Sequence, residues 1–92
     1  MLEIVPTSRF KKDLKRCHKR GKDIDKIEWI VTELQHTKTL PQNNKDHPLI
    51  GNWSGYRECH IEPDWLLIYA INEKQSLLHL VRTGTHSDLF DE

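Results

Sequence analysis

Six residues in the second half of this 92-residue chain are of types that do chemistry: His60, Asp64, Trp65, Arg82, His86 and Phe90. Imidazole, with an ordinary pKa near 6.5, can take up or release a proton around neutrality. A guanidinium stays charged and offers paired donors to phosphate or carboxylate oxygens. Two histidines, a carboxylate, an arginine and two aromatic rings gathered in one place could form an acid/base site beside a charge clamp. Whether they meet depends on the elements between them.

The stretch Gly55 to Tyr69, GYRECHIEPDWLLIY, reads as a hairpin. Tyr56, Glu58 and His60 alternate with Arg57, Cys59 and Ile61 at strand period, and Glu62-Pro63-Asp64 supplies turn chemistry. Trp65 to Ile71 is an apolar run with the length and composition of a strand buried on both faces. After the polar break Asn72 to Gln75, Leu77 to Thr83 forms a third strand, and short connections make the three an antiparallel meander. If the first strand ascends, His60 lies at its top, Asp64 and Trp65 begin the second strand there, and Arg82 ends the third there. The tail GTHSDLF, a short helical turn, leaves from that same end with His86 and Phe90.

Upstream, Leu2 to Val5 is β-prone, closed by Pro6, and could add an edge strand. Thr7 or Ser8 can cap a helix whose apolar stripe is Phe10, Leu14 and Cys17, with Gly21 as its stop. Asp23 caps a second helix in which Ile24, Ile27, Val31 and Leu34 keep register, with Ile30 beside them. The turn between the helices is very short, so they form an αα-hairpin whose seams meet the sheet, an α+β fold in a single domain over residues 1–92. Lys38 to Trp53 reads as a long loop, uncommon in so small a domain unless it has a task, and His47 sits in it.

Formal net charge is zero, yet residues 1–46 hold eleven Lys/Arg against seven Asp/Glu, and residues 47–92 hold three against seven. From Arg9 to Lys22 there are eight basic residues and one acid, Asp13, so the first helix has a thin buried seam and a broad positive face. The N-terminus lacks the basic and apolar regions of a signal peptide, and no apolar run approaches the roughly 20 residues of a membrane span. Cys17 and Cys59 read as small buried residues in a reducing cytosol, without a disulfide framework. These features point to a cytoplasmic protein with no membrane role.

The strings KDHPLIGNWSGYRECHIEPDWLLIY and RTGTHSDLF resemble the YafQ-like branch of the RelE/ParE toxin superfamily, small bacterial toxins of toxin-antitoxin operons. D-H-P-L, G-Y-R-E-x-H, E-P-D-W-L-L-I-Y and R-T-G-T-H-x-x-L-F stand in that family's order and spacing, and with the helical pattern before them the resemblance covers essentially the whole chain. It implies a RelE-like fold, with an N-terminal strand and αα-hairpin on an antiparallel sheet, and an endoribonuclease that cuts mRNA in the ribosomal A site. It also implies a cognate antitoxin, typically with a ribbon-helix-helix end through which any DNA binding would pass. Carried over by position, the family's functional residues fall on His47, His60, Asp64, Trp65, Arg82, His86 and Phe90.

Cutting RNA without a metal or other cofactor requires a base for the 2′-hydroxyl, a cation for the phosphorane and an acid for the departing 5′-oxygen. Here His86 is the expected acid, Arg82 the expected phosphate clamp, and His47, His60 and Asp64 are all open as the base or its orienter. Phe90 and Trp65 could stack on splayed bases. Lys11, Lys12, Lys15 and Lys19 would meet ribosomal RNA phosphates, or the same face could receive an acidic antitoxin segment. Each residue also has a structural reading: Arg82 pairing with Asp64 or Glu58, Trp65 partly in the core, Phe90 tucking the tail onto the sheet. A zinc hydrolase is disfavoured because no H-x-x-x-H, H-x-H or C-x-x-C spacing occurs. A gyrase-poisoning relative would share the fold without needing the histidines, and near-neutral charge counts against a free RNA- or DNA-binding module.

Overall fold

The computed structural model describes residues 1–90. Its helices begin and end where short-range chemistry directs. Helix α1 (Ser8–Lys19) starts at Thr7, whose side chain accepts from the Phe10 amide. It closes with Gly21 at φ +83°, where the amides of Lys22 and Gly21 donate to the carbonyls of Cys17 and His18 at 3.1 and 3.0 Å. That paired pattern needs a left-handed residue, which glycine supplies without steric cost. Helix α2 (Ile24–Gln35) is capped by Asp23 and buries Ile27, Ile30 and Leu34.

Five strands form one sheet: β1 (Glu3–Pro6), β2 (His47–Pro48), β3 (Arg57–Glu62), β4 (Trp65–Asn72) and β5 (Leu77–Gly84), in spatial order β1-β5-β4-β3-β2. The expected meander β3-β4-β5 is present and antiparallel. Two features correct the expected sheet. The edge strand β1 joins parallel to β5, so the sheet is mixed, and the long loop contributes β2, which pairs His47 with Glu58. From β1 the chain passes directly into α1, which continues along β5 in the same direction, Thr7 beside Val81 and Asp13 beside Thr83. Helix α2 returns to the start of β1, where the Leu2 amide donates to the Gln35 carbonyl.

Both faces of the sheet are covered. The α1-α2 hairpin packs on Cys59, Trp65, Leu67, Tyr69, Leu78 and Leu80. Leu66 and Ile68, at the alternate positions of β4, pack on the other face with Leu49, Trp53, Tyr56, Leu89 and Phe90, supplied by the loop and by α3 (His86–Phe90). Two-sided cover is the reason β4 is apolar throughout. No helix among the described residues is long and apolar enough to cross a membrane.

β1 pairs only as far as Leu80, which leaves the last half of β5 paired with β4 on one edge and without a strand on the other. Helix α1 fills that edge. Asp13, 2% exposed, accepts the Thr83 amide at 3.2 Å. The only acid in a basic helix therefore pairs a backbone donor that would otherwise be buried unmet.

Candidate active site at the sheet rim

β3 places Glu58 and His60 on the face opposite the helices, because their cross-strand partners are Ile68 and Leu66. His60 Nε2 lies 3.3 Å from Glu58 Oε1. From β2, His47 Nε2 approaches the same oxygen at 3.6 Å. His47 Nδ1 donates to the Lys45 carbonyl at 2.6 Å, so Nε2 is the nitrogen turned toward Glu58. Glu58, 5% exposed, is thus a buried carboxylate between two imidazoles. It was not among the expected site residues, although its period-2 spacing from His60 was the available signal.

His86 enters from the opposite side. It is the first residue of α3, immediately beyond β5, and its ring centroid is 5.7 Å from that of His60. The His60 and His47 centroids are 6.4 Å apart. Asp64, in the β3-β4 turn, accepts both the His86 amide at 2.9 Å and His86 Nδ1 at 2.6 Å on one oxygen. The amide, then the ring, of His86 hold the Asp64 carboxyl below the usual carboxylate range. With Nδ1 so engaged, Nε2 is the ring nitrogen left for proton transfer. His47, His60, Asp64 and His86 therefore share one rim.

Arg82 is placed differently. Its Nε and Nη2 donate to the two oxygens of Asp13 at 2.6 and 3.2 Å, a bidentate ion pair with a carboxylate on the helix side. The partner is neither Asp64 nor Glu58, and Nη1 is the nitrogen Asp13 does not engage. The chain of charge continues through Arg16 Nη2, 3.1 Å from Asp13 Oδ1 and 3.6 Å from Asp88 Oδ2, to Arg20 Nη1, 2.7 Å from Asp88 Oδ2.

Trp65 as an exposed stacking platform is corrected outright. It has no solvent exposure, faces α1 and α2, and donates from Nε1 to Thr83 Oγ1 at 3.0 Å. A run buried on both faces carries no signal for which face a given residue takes. Phe90 is half-buried and meets Trp53 edge to face at 6.1 Å, and Trp53 meets Tyr56 likewise at 5.6 Å. Phe90, Trp53 and Tyr56 thus form one run of rings on the sheet face opposite the helices. Lys11, Lys12, Lys15 and Lys19 are exposed along α1. Burial raises both cysteine thiols above their ordinary range, as inert core residues require.

Glu58, His60 and His86 offer potential ligand atoms within 4.8 Å of one another, a nitrogen-and-oxygen set of the kind that suits zinc or copper.

Two helices on one face of a mixed sheet, with imidazoles and carboxylates collected at a strand-end rim on the other, define the RelE-like class of small α+β toxins. Within it, the chain belongs to the family of bacterial toxins of type II toxin-antitoxin systems, YafQ, which it matches over residues 2–91. It is 47% identical to the mRNA interferase toxin YafQ of Escherichia coli K12 over 89 residues, 96% of this chain and 95% of that one. The toxin in the crystal structure of the E. coli DinJ-YafQ toxin-antitoxin complex is 46% identical, with a TM-score of 0.87 and 97% of each chain covered. A metal-bound toxin from Helicobacter pylori is 43% identical, with a TM-score of 0.93 over 98% of this chain and 100% of that one.

Proposed function

We propose that the chain is a ribosome-dependent endoribonuclease toxin that cuts mRNA in the ribosomal A site without a metal, acts in the cytoplasm and is neutralised by a cognate antitoxin. The observation that carries the reading is the pairing of His60 and His86 at 5.7 Å, each backed by its own carboxylate. Two proton carriers facing one phosphate-sized gap are what 2′-hydroxyl attack requires.

In this mechanism the 2′-oxygen attacks the adjacent phosphorus while its proton passes to His60, whose imidazole is supported by Glu58 and flanked by His47. The P–O5′ bond breaks as His86 delivers its Nε2 proton to the 5′-oxygen, leaving a 2′,3′-cyclic phosphate and a 5′-hydroxyl. Asp64 acts as the orienter of His86 rather than as the base, because the two hydrogen bonds from His86 favour its ionised form. Arg82, whose cross-strand partner Ile68 lies on the same face as Glu58 and whose Nε and Nη2 are held by Asp13, would offer Nη1 to the developing phosphorane. Phe90 and Trp53 offer rings to unstacked bases, and Lys11, Lys12, Lys15 and Lys19 meet ribosomal phosphates. Partner binding by the E. coli toxin supports an antitoxin here, with any operator DNA contacted through that partner.

The metal-bound H. pylori relative supports a second role for the rim. A borderline cation on Glu58, His60 and His86 would occupy the groups that move protons, so it would act as an inhibitor.

The test is single-turnover cleavage of message on programmed ribosomes, with 5′ ends mapped in the presence and absence of EDTA. Cuts within the A-site codon that persist in EDTA, and a loss of at least ~100-fold on His86→Ala with ribosome binding retained, support the proposal. A His86→Ala rate near wild type removes the acid assignment. EDTA-sensitive cuts would favour a metal enzyme, and no cuts a non-catalytic toxin.

A further inference from the structure

We propose that Asp88 is a positioning residue that holds His86 against His60 by tying the first turn of α3 to α1. The inference rests on the nuclease reading above, and position 88 is one of the two that the family string leaves open.

Five residues are far too few for a helix to hold itself in water, so the placement of α3 must come from outside it. Leu89 docks its apolar side on the sheet, which leaves the orientation of the first turn to polar contacts. Asp88 supplies them in two directions. Within the turn, the Thr85 amide donates to Asp88 Oδ2 at 3.0 Å and the Asp88 amide donates to Thr85 Oγ1 at 3.1 Å, a reciprocal cap enclosing His86. Across the molecule, the same carboxylate takes Arg20 Nη1 at 2.7 Å and Nη2 at 3.4 Å, with Arg16 at 3.6 Å. Arg20 is 68 residues away in sequence.

The fit beneath is close. A Cβ on Gly84 would stand 2.9 Å from Asp88 Cβ and 3.2 Å from Arg16 Nη2, so the chain passes under this bridge only as glycine. The Arg20 contact pulls the Asp88 carboxyl down to about 2, which keeps it ionised under cellular conditions. Control of His86 is then shared. Asp64 holds its amide and its ring from the β3-β4 turn, and Asp88 ties the turn that carries it to α1. A displacement of about 1 Å at the acid is enough to cost ~100-fold in rate, which is why a bridge remote from the reacting atoms can matter.

The experiment compares full-length Asp88→Ala, Asp88→Asn and Arg20→Gln in single-turnover cleavage on ribosomes, with NMR signals of His86 recorded on the free protein. Asp88→Ala should lower the limiting rate ~10-fold or more, change the half-saturating ribosome concentration less than about twofold, and move the His86 amide and ring signals. Asp88→Asn keeps an acceptor for the Thr85 amide and should recover part of the rate. Arg20→Gln should reproduce the Asn variant, and combining it with Asp88→Ala should add nothing. A rate within twofold of wild type in Asp88→Ala, or unmoved His86 signals, overturns the proposal. So does a loss additive with Arg20→Gln. If Asp88→Ala does not fold, Asn and Gln variants with wild-type rates and signals overturn it equally. Failure of the wild-type protein to cut message would instead overturn the nuclease reading, while the NMR comparison still decides the positioning.

Discussion

Asp13 and Arg82 form a bidentate pair at 2.6 and 3.2 Å, joining the middle of α1 to the end of β5 across 69 positions of sequence. The pair lies on the open half of the β5 edge, and Asp13 also receives the Thr83 amide. It is therefore both a fold contact and the mount of the expected phosphate clamp.

Truncating Asp13 to Ala leaves a guanidinium and a backbone amide without partners in a buried place, and should destabilise the protein by about 3–5 kcal/mol. Asp13→Asn keeps one acceptor and should cost about 2 kcal/mol. Urea unfolding checks both values. Cleavage by the folded Asn variant should fall along with the alignment of Arg82.

Glu58 tests the proton acceptor. Glu58→Gln preserves shape and removes the charge shared by His47 and His60, and the single-turnover rate should drop ~100-fold with little change in melting temperature. An unchanged rate would return the base to the open choice among His47, His60 and Asp64.

Trp65 separates core from platform. Trp65→Phe loses the bond to Thr83 and some volume, so it should destabilise by about 2 kcal/mol while leaving ribosome and RNA affinity unchanged. A stacking residue would show the reverse. Calorimetry beside a binding titration distinguishes the two.

Reversing charge at Lys11, Lys12, Lys15 and Lys19 should weaken ribosome association and flatten its dependence on salt, by about one unit of slope for each phosphate the variant no longer neutralises. The limiting cleavage rate should change much less. Equal slopes for mutant and wild type would remove the docking role.

Asp88 titrates in the folded protein at about 2 against an ordinary 3.8, chiefly because Arg20 bonds its ionised form. A depressed folded value stabilises the protein above the ordinary carboxylate range, and that stability is lost as pH falls from about 4 to about 2. Asp64, lowered by His86, contributes in the same sense. Unfolding free energy followed from pH 6 to pH 2 should decline, and Asp88→Asn should decline less steeply.

Much of this arrangement was legible in the order of residues. Helix ends rest on Thr7, Gly21 and Asp23, strands on alternation between Arg57 and Glu62, and the turn on Pro63 and Asp64. These are local effects, each acting over a few residues, and the meander alone brings His60, Asp64 and His86 to one end. The loop's unusual length and the His47 within it were visible, though not the pairing of His47 with Glu58.

The amino-acid order by itself determined the two long helices, the meander and the kinds of groups at its rim, because backbone period, caps and turns depend on near neighbours. Only the tertiary structure decided that β1 runs parallel to β5, that Trp65 faces the helices and that Glu58 lies between two imidazoles. It also decided that Arg82 belongs to Asp13 and that Asp88 reaches Arg20. The last two depend on which charges α1 meets when it closes over the open edge of β5, and the place of Glu58 depends on β2 pairing with β3. No window of sequence contains both partners of a bond made 68 or 69 residues apart.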